Sequence, residues 1–474
     1  MDLLIAIAAF AAAAWLLYFT LRGSLVAGCL AFLLTASCFG YPFLHFDLGP
    51  LPVTLDRLLI VGLCGVYLVQ RALGLTDPKP LETVDKLLLL FLGLLVFSTF
   101  THNWHDNPPG YVSPLWRFVT GFLIPATVYW LARQSRLTER NVVIVHGALA
   151  CFGIYLAVTG LAEVSRQWWL VFPGYIADSS VGLHFGRARG PMVQAVSYGF
   201  FLGVSMLAGY LWRSRWNRFG QLIWLLLILV ELTAIAFTYT RSVWIGTALA
   251  IVVVLGLTLR GAWRPLVLGM LVSAALVLSV VQLGSLANLQ REGSASEARE
   301  SAGMRASFAY VSWEMFLDRP LLGFGFGQFF REKLPYLSDR TTPLELELIR
   351  DYIHHNTYLS LLTETGLVGL ALYLAILCGF VRRGWRLCRS GNPQWMCAHG
   401  ILLLGTLATY AVQMLFHEVS YSALDNSLLM LLAGIAVGLT AGPRTLRIAT
   451  PRSAQIGVPT ERVTAVARAP APSA

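Results

Sequence analysis

Three observations predict the fold class of this 474-residue chain. Hydrophobic residues make up 56% of it and charged residues 13%, with a mean hydropathy of +0.65, which leaves too little polar surface to cover a soluble globule. Apolar runs of about 20 residues, the length that spans a bilayer, recur along it, and Lys and Arg collect in alternate loops. Together these predict an all-α polytopic integral membrane protein of about 12–13 transmembrane helices with one large helical external loop.

Thirteen apolar runs are legible, near 2–21, 24–40, 57–75, 87–101, 116–132, 142–162, 194–212, 220–239, 242–259, 265–284, 357–381, 397–416 and 426–442. The first reads as a spanning helix rather than a signal peptide, because Met1-Asp2 offers no basic n-region. Short basic loops stay cytoplasmic. Arg22, then Arg71, Lys79 and Lys86, then Arg133, Arg136 and Arg140, then Arg213, Arg215 and Arg218, then Arg260 and Arg264, then Arg382, Arg383, Arg386 and Arg389 all fall on one side. The N-terminus is therefore expected outside, the C-terminus inside, and two long loops, 163–193 and 285–356, outside. Residues 1–442 form the membrane domain, and 443–474, rich in Pro, Ala, Thr and Arg, reads as a disordered cytoplasmic tail.

The net charge of +10 is mostly topological, with part of it available to anionic headgroups. No basic stripe interleaved with aromatics suggests nucleic acid. The seven cysteines, at 29, 38, 64, 151, 378, 388 and 397, fall in helices or on the cytoplasmic side and imply neither a disulfide framework nor a CxxC metal site.

Three regions interrupt the apolar runs. In LHFGRARGPMVQAVSYG (183–199), Arg187 and Arg189 precede Gly190-Pro191, a turn ahead of a helix. Two guanidinium groups close to a helix N-terminus suit an anion such as a phosphate. In TYTRSVWIG (238–246) two spans are joined by almost nothing. Arg241 there either snorkels at a helix end or faces a cavity.

The long loop carries Phe308, Val311, Trp313 and Phe316 at helical spacing, read as a helix lying on the membrane face and stopped by Pro320. Gly323, Gly325 and Gly327 follow as a flexible turn. This G-x-G-x-G lacks the preceding strand and following Lys-Ser/Thr of a nucleotide loop.

The loop returns through His354, His355 and Asn356 to a span containing Gly366 and Gly369, HHNTYLSLLTETGLVG. On a straight helix these glycines share one face and let another helix approach, about 16 Å beyond His355. His354 either orients its neighbour or is a solvated loop residue. Glu364 and Glu231 lie inside spans, where ionisable groups are functional candidates. The preferred reading of Glu364 is a structural partner to an Arg or to backbone groups. His417, Glu418 and Asp425, in the last external loop, either complete a site or cap helix ends.

These residues together resemble the O-antigen ligase superfamily, membrane glycosyltransferases that act on glycans carried by undecaprenyl pyrophosphate. The family pattern of His, then Asn, Ser or Gln, nine residues, Gly, two residues, and Gly, Thr or Tyr is met by His355, Asn356, Gly366 and Gly369. Its R-x-x-G element is matched by Arg187 and Gly190, its Ser/Thr-Arg hairpin by Thr240 and Arg241. Its helix-loop element is matched by Arg305, Trp313, Pro320, Gly323, Gly325 and Phe329. Many relatives follow R-x-x-G with Asn-Pro, where this chain has Gln194-Ala195, and thirteen spans exceed the family's usual twelve by one.

The resemblance implies glycan transfer to an acceptor hydroxyl at the periplasmic face of the bacterial inner membrane, inverting and without metal or cofactor. Arg187 and Arg241 would bind the pyrophosphate with Arg189 assisting, since a planar guanidinium pairs phosphate oxygens bidentately. His355 would be general base or positioner, supported by His354, Asn356 and Glu418. The expected partners are the lipid-linked donor, a lipid A core or other glycan or protein acceptor, and membrane lipids, with the enzyme a monomer. Polymerisation of lipid-linked repeats remains an alternative, as does a transporter, although no inverted repeat is visible.

Overall fold

Segments dominated by Leu, Val, Phe and Ala fold as helices because hydrocarbon offers no partner for a free backbone N–H or C=O. The computed structural model describes residues 23–43, 45–48, 51–106, 110–259, 261–267, 269–270, 295–389 and 391–441. The helices are α1 Leu25–Cys38, α2 Leu55–Ala72, α3 Thr83–Phe100, α4 Pro114–Arg133, α5 Glu139–Val164, α6 Ala195–Trp212, α7 Arg218–Ala236, α8 Arg241–Thr258, α9 Ala295–Asp318, α10 Thr357–Leu387, α11 Gln394–Phe416 and α12 Ala423–Thr440.

Among the described residues nine of these, α3 to α8 and α10 to α12, are long and apolar enough to cross a membrane. The chain is therefore an all-α multi-pass membrane protein. Eleven of the thirteen apolar runs coincide with described helices. Run 2–21 and almost all of 265–284 lie outside the described residues, as does the tail from 443. One element was not foreseen, an antiparallel hairpin of β1 (His45–Leu48) and β2 (Leu51–Thr54), with His45 opposite Thr54.

α6 and α12 are the most enclosed helices, buried over about four-fifths of their apolar windows. Glycines bring neighbours close to the centre. A Cβ on Gly400 would lie 2.6 Å from the Gly384 carbonyl oxygen, and one on Gly434 2.5 Å from that of Tyr129.

α4 contains a π-helical turn, Val119–Leu123. Pro125 has no N–H to give the Gly121 carbonyl, and the Asn426 amide on α12 donates to it instead at 2.8 Å. Gly121 also lies against the chain at Ser420, whose carbonyl oxygen a Cβ there would meet at 2.1 Å. The loop between α11 and α12 is thus seated on α4, one turn along from Arg117.

α10 is not straight. Gly366 has φ 65° and ψ −167°, breaking the helix in its first third, and the glycine-rich loop docks on the break. Phe324 and Gly325 donate to the carbonyls of Thr363 and Glu364, both at 2.9 Å. Leu367 and Val368 donate back to Pro320 at 2.8 Å and Leu321 at 3.2 Å. Backbone groups freed by the break are satisfied by another segment of backbone.

This corrects the sequence reading, in which Gly366 admitted a neighbouring helix to a continuous span. Gly369 does face one, since a Cβ there would lie 3.5 Å from the Leu94 side chain of α3. A Cβ on Gly366 would sit 2.2 Å from the Leu321 oxygen, on a backbone that L-residues rarely adopt. Gly366→Ala is therefore expected to destabilise by at least about 2 kcal/mol. A thermal melt in detergent indistinguishable from wild type would show the docked loop to be dispensable.

α9 also departs from expectation. Phe308 and Val311 face a small core made with Phe324, Phe329, Leu337, Leu346 and Ile349, leaving Trp313 exposed. The described stretch 295–356 has its own hydrophobic centre, so α9 is anchored by packing within it.

Candidate active site

Arg117 occupies the middle of a buried polar cluster at one end of the bundle. Its Nη1 donates to both Glu364 oxygens at 2.9 and 2.7 Å, its Nε to Ser420 Oγ at 2.6 Å, and its Nη2 to Ser360 Oγ at 3.0 Å. Glu418 Oε1 lies 3.3 Å from Nη2, and the rings of Phe326 and Tyr421 cover the guanidinium. Four polar side chains and two rings, from three segments, are thereby fixed to one cation, and Glu364 has the arginine partner its sequence position suggested.

The two histidines stand beside this cluster. Nε2 of buried His354 accepts no hydrogen bond. The hydroxyls of Ser312 and Thr363, 3.3 and 3.2 Å away, already donate to the carbonyls of Phe308 and Leu359, so Nε2 carries the hydrogen and Nδ1 is the bare acceptor. Burial, with Arg117, Lys333 and His355 nearby, holds its pKa well below the usual value.

His355 is half-buried, in ring contact with Phe308 and Tyr352. Burial lowers its pKa, Arg305 and Lys333 lower it further, and Glu418 opposes them. Asn356 caps α10, its Oδ1 accepting from Leu359 N–H at 3.0 Å, while its Nδ2 donates to Leu415 O at 3.0 Å. Thr357 Oγ1 donates to His417 O at 2.7 Å and accepts from Val419 N at 3.0 Å. The pattern's asparagine thus sets the helix start and ties it to α11, while Thr357 binds the His355 segment to the loop between α11 and α12.

Arg187 and Arg241 belong to two turns joined by the Ala188 N–H, which donates to Phe237 O at 3.0 Å. Gly190 has φ 51°, and a Cβ there would meet the Tyr198 ring at 2.6 Å, which explains glycine at the end of R-x-x-G. Arg241 opens α8 and is exposed, and Arg187 is partly so.

Arg189 is placed differently from the sequence expectation. It is fully buried, with Nε on Glu163 at 2.8 Å, Nη1 on Val181 O at 2.9 Å and Nη2 on Ile176 O at 3.0 Å. Glu163 also accepts from the backbone N–H of Arg189 and Gly190. Every guanidinium nitrogen of Arg189 holds the turn together, because unpaired burial of this charge would be costly.

The turns meet the histidine loop at His417, whose Nε2 lies 2.8 Å from Ser242 Oγ, next to Arg241. Its pKa is pushed down to about 4 by burial and by His355, Arg305 and His184. The structure therefore gathers His355, His417, His184 and Arg305 around the segment that carries Arg241, itself bonded to the one carrying Arg187. Such a gathering of cationic and neutral imidazole groups favours an anion.

If His355 acts as base, its neutral form is required and activity falls as pH drops through its depressed pKa. Arg305→Met removes a charge that disfavours the imidazolium, so the acid limb of the pH–rate profile should move to higher pH. An unmoved limb would separate Arg305 from the site.

Arg117 was missed at the sequence level, though an arginine one residue inside the run 116–132 was a sufficient signal. Among the described residues no group of three or more His, Cys, Asp or Glu side chains is arranged to hold a metal ion.

Fold and site define a helical multi-pass membrane protein with a charged, partly buried centre at one end of its bundle. The family description O-antigen ligase matches residues 222–374, from α7 through Gly369 of α10. This match supports the O-antigen ligase superfamily over that stretch and suggests a glycosyltransferase-like activity of the ligase or polymerase kind. None of the curated proteins compared matches the chain.

Proposed function

We propose that the protein transfers a glycan from undecaprenyl pyrophosphate to an acceptor hydroxyl at the periplasmic face of the bacterial inner membrane, as an inverting, metal-independent enzyme. The observation that carries this reading is the joining of the Arg187 and Arg241 turns to the His355 loop through His417.

Arg187 and Arg241 bind the diphosphate oxygens and stabilise charge as it leaves, with the Arg189–Glu163 pair holding the turn in shape. The acceptor oxygen attacks the anomeric carbon, the bond from that carbon to the diphosphate oxygen breaks with its electron pair, and His355 takes the hydroxyl proton. Asn356 sets the approach of the histidine, and Glu418 and His354 support it from below.

Purified protein given lipid-linked glycan tests the reading. A single transfer to an added core or protein acceptor means a ligase, and long chains without acceptor mean a polymerase. Absence of both, or loss with EDTA and return with Mg²⁺, would overturn it. Arg187→Lys keeps the charge but not the fork, and should cost about 10-fold or more in kcat/KM, equivalent to about 1.4 kcal/mol. A fully active lysine variant would place the diphosphate elsewhere.

A further inference from the structure

Two polar atoms in the site have no partner within the protein. All contacts of buried Glu418 fall on Oε1, from Ser420 Oγ at 2.6 Å, Ser420 N at 3.2 Å and Arg117 Nη2 at 3.3 Å. Its Oε2 has none, and neither has Nδ1 of His354. Both residues are more than nine-tenths buried, and both atoms are acceptors, His354 because its hydrogen is on Nε2.

Both residues line one cavity, together with Arg117, Gly327, Phe329, Phe330, Ile353, Ser360, Glu364 and Tyr421, and its volume is about 10 Å³. That is the room of a single water, and a water has two hydrogens to give.

We propose that one ordered water binds here, donating to His354 Nδ1 and to Glu418 Oε2, and that through it Glu418 acts as a positioning residue for the His354–His355 segment. Resting on the glycan-transfer reading, this gives Glu418 a task beyond pairing with Arg117. It joins the buried cation to the histidine next to the base. The ring of His354 is then held at both nitrogens, by Thr363 and Ser312 on one side and by the water on the other. The carboxylate charge also reaches a segment otherwise faced by Arg305, Lys333, Arg117 and His417.

The test has two arms. A cryo-electron microscopy map of the protein in lipid nanodiscs, at a resolution that shows ordered water, should contain one isolated density within hydrogen-bond reach of both atoms. A dry cavity, or direct pairing of the two side chains, would overturn the proposal. In the second arm Glu418→Gln, folded by size exclusion and melting, should lower kcat about 10- to 100-fold with donor KM unchanged and move the acid limb to lower pH. Glu418→Asp should recover part of the loss. An unchanged pH profile would reduce Glu418 to a structural role. Wild-type protein inactive on lipid-linked glycan would sink the functional reading while leaving the map to decide on the water.

Discussion

Replacing Arg117 with methionine is expected to be the most damaging single substitution outside the glycine-rich loop. Arg117→Met leaves Glu364 and Glu418 buried beside each other without a cation, and removal of one member of a buried ionic group costs about 3–5 kcal/mol. The residue also holds Ser360 and Ser420, so α4, α10 and the loop between α11 and α12 lose their common anchor. Arg117→Lys should be intermediate, because one ammonium cannot reach four partners in the plane of a guanidinium. Thermal melting in detergent measures both. If Arg117→Met melts like wild type, the network is not what fixes the floor of the site.

The second large effect is on catalysis. His355→Ala should lower transfer about 10²- to 10⁴-fold with little change in melting temperature, since the ring is half-buried and makes only aromatic contacts besides its charge interactions. His355→Gln separates two roles, because an amide can hold a hydroxyl in place but cannot take its proton at neutral pH. Activity of the glutamine variant near wild type would mean that His355 positions the acceptor. Activity as low as the alanine variant would mean that it is the base.

Much of the architecture is legible because membrane helices are written in composition. A run such as 194–212 has no other way to satisfy its backbone in lipid, and α6 occupies Ala195–Trp212. The hairpin at 45–54 escaped because eight short strand residues give no apolar run.

Gly366 was misread for a different reason. The pattern on both sides of it is helical, and what reveals the break is the loop at 320–327, about forty residues earlier, that supplies its hydrogen bonds. Arg187, Arg241 and His355 stand out as polar residues in an apolar chain. The buried task of Arg189 depends on Glu163, a partner 26 positions away that spacing does not announce. His417 was visible only as one of several polar groups in a short loop, and its place beside Ser242 is a product of tertiary folding.

The central claim is that the Arg187 and Arg241 turns and the His355 loop form one site for a lipid diphosphate. A structure of the protein with an undecaprenyl pyrophosphate bound in a nanodisc tests it most directly. The expected result is a diphosphate in contact with Arg187 and Arg241, with His355 and His417 on the side where the glycan leaves. A diphosphate bound at the opposite end of the bundle, against Arg213 and Arg215, would contradict it.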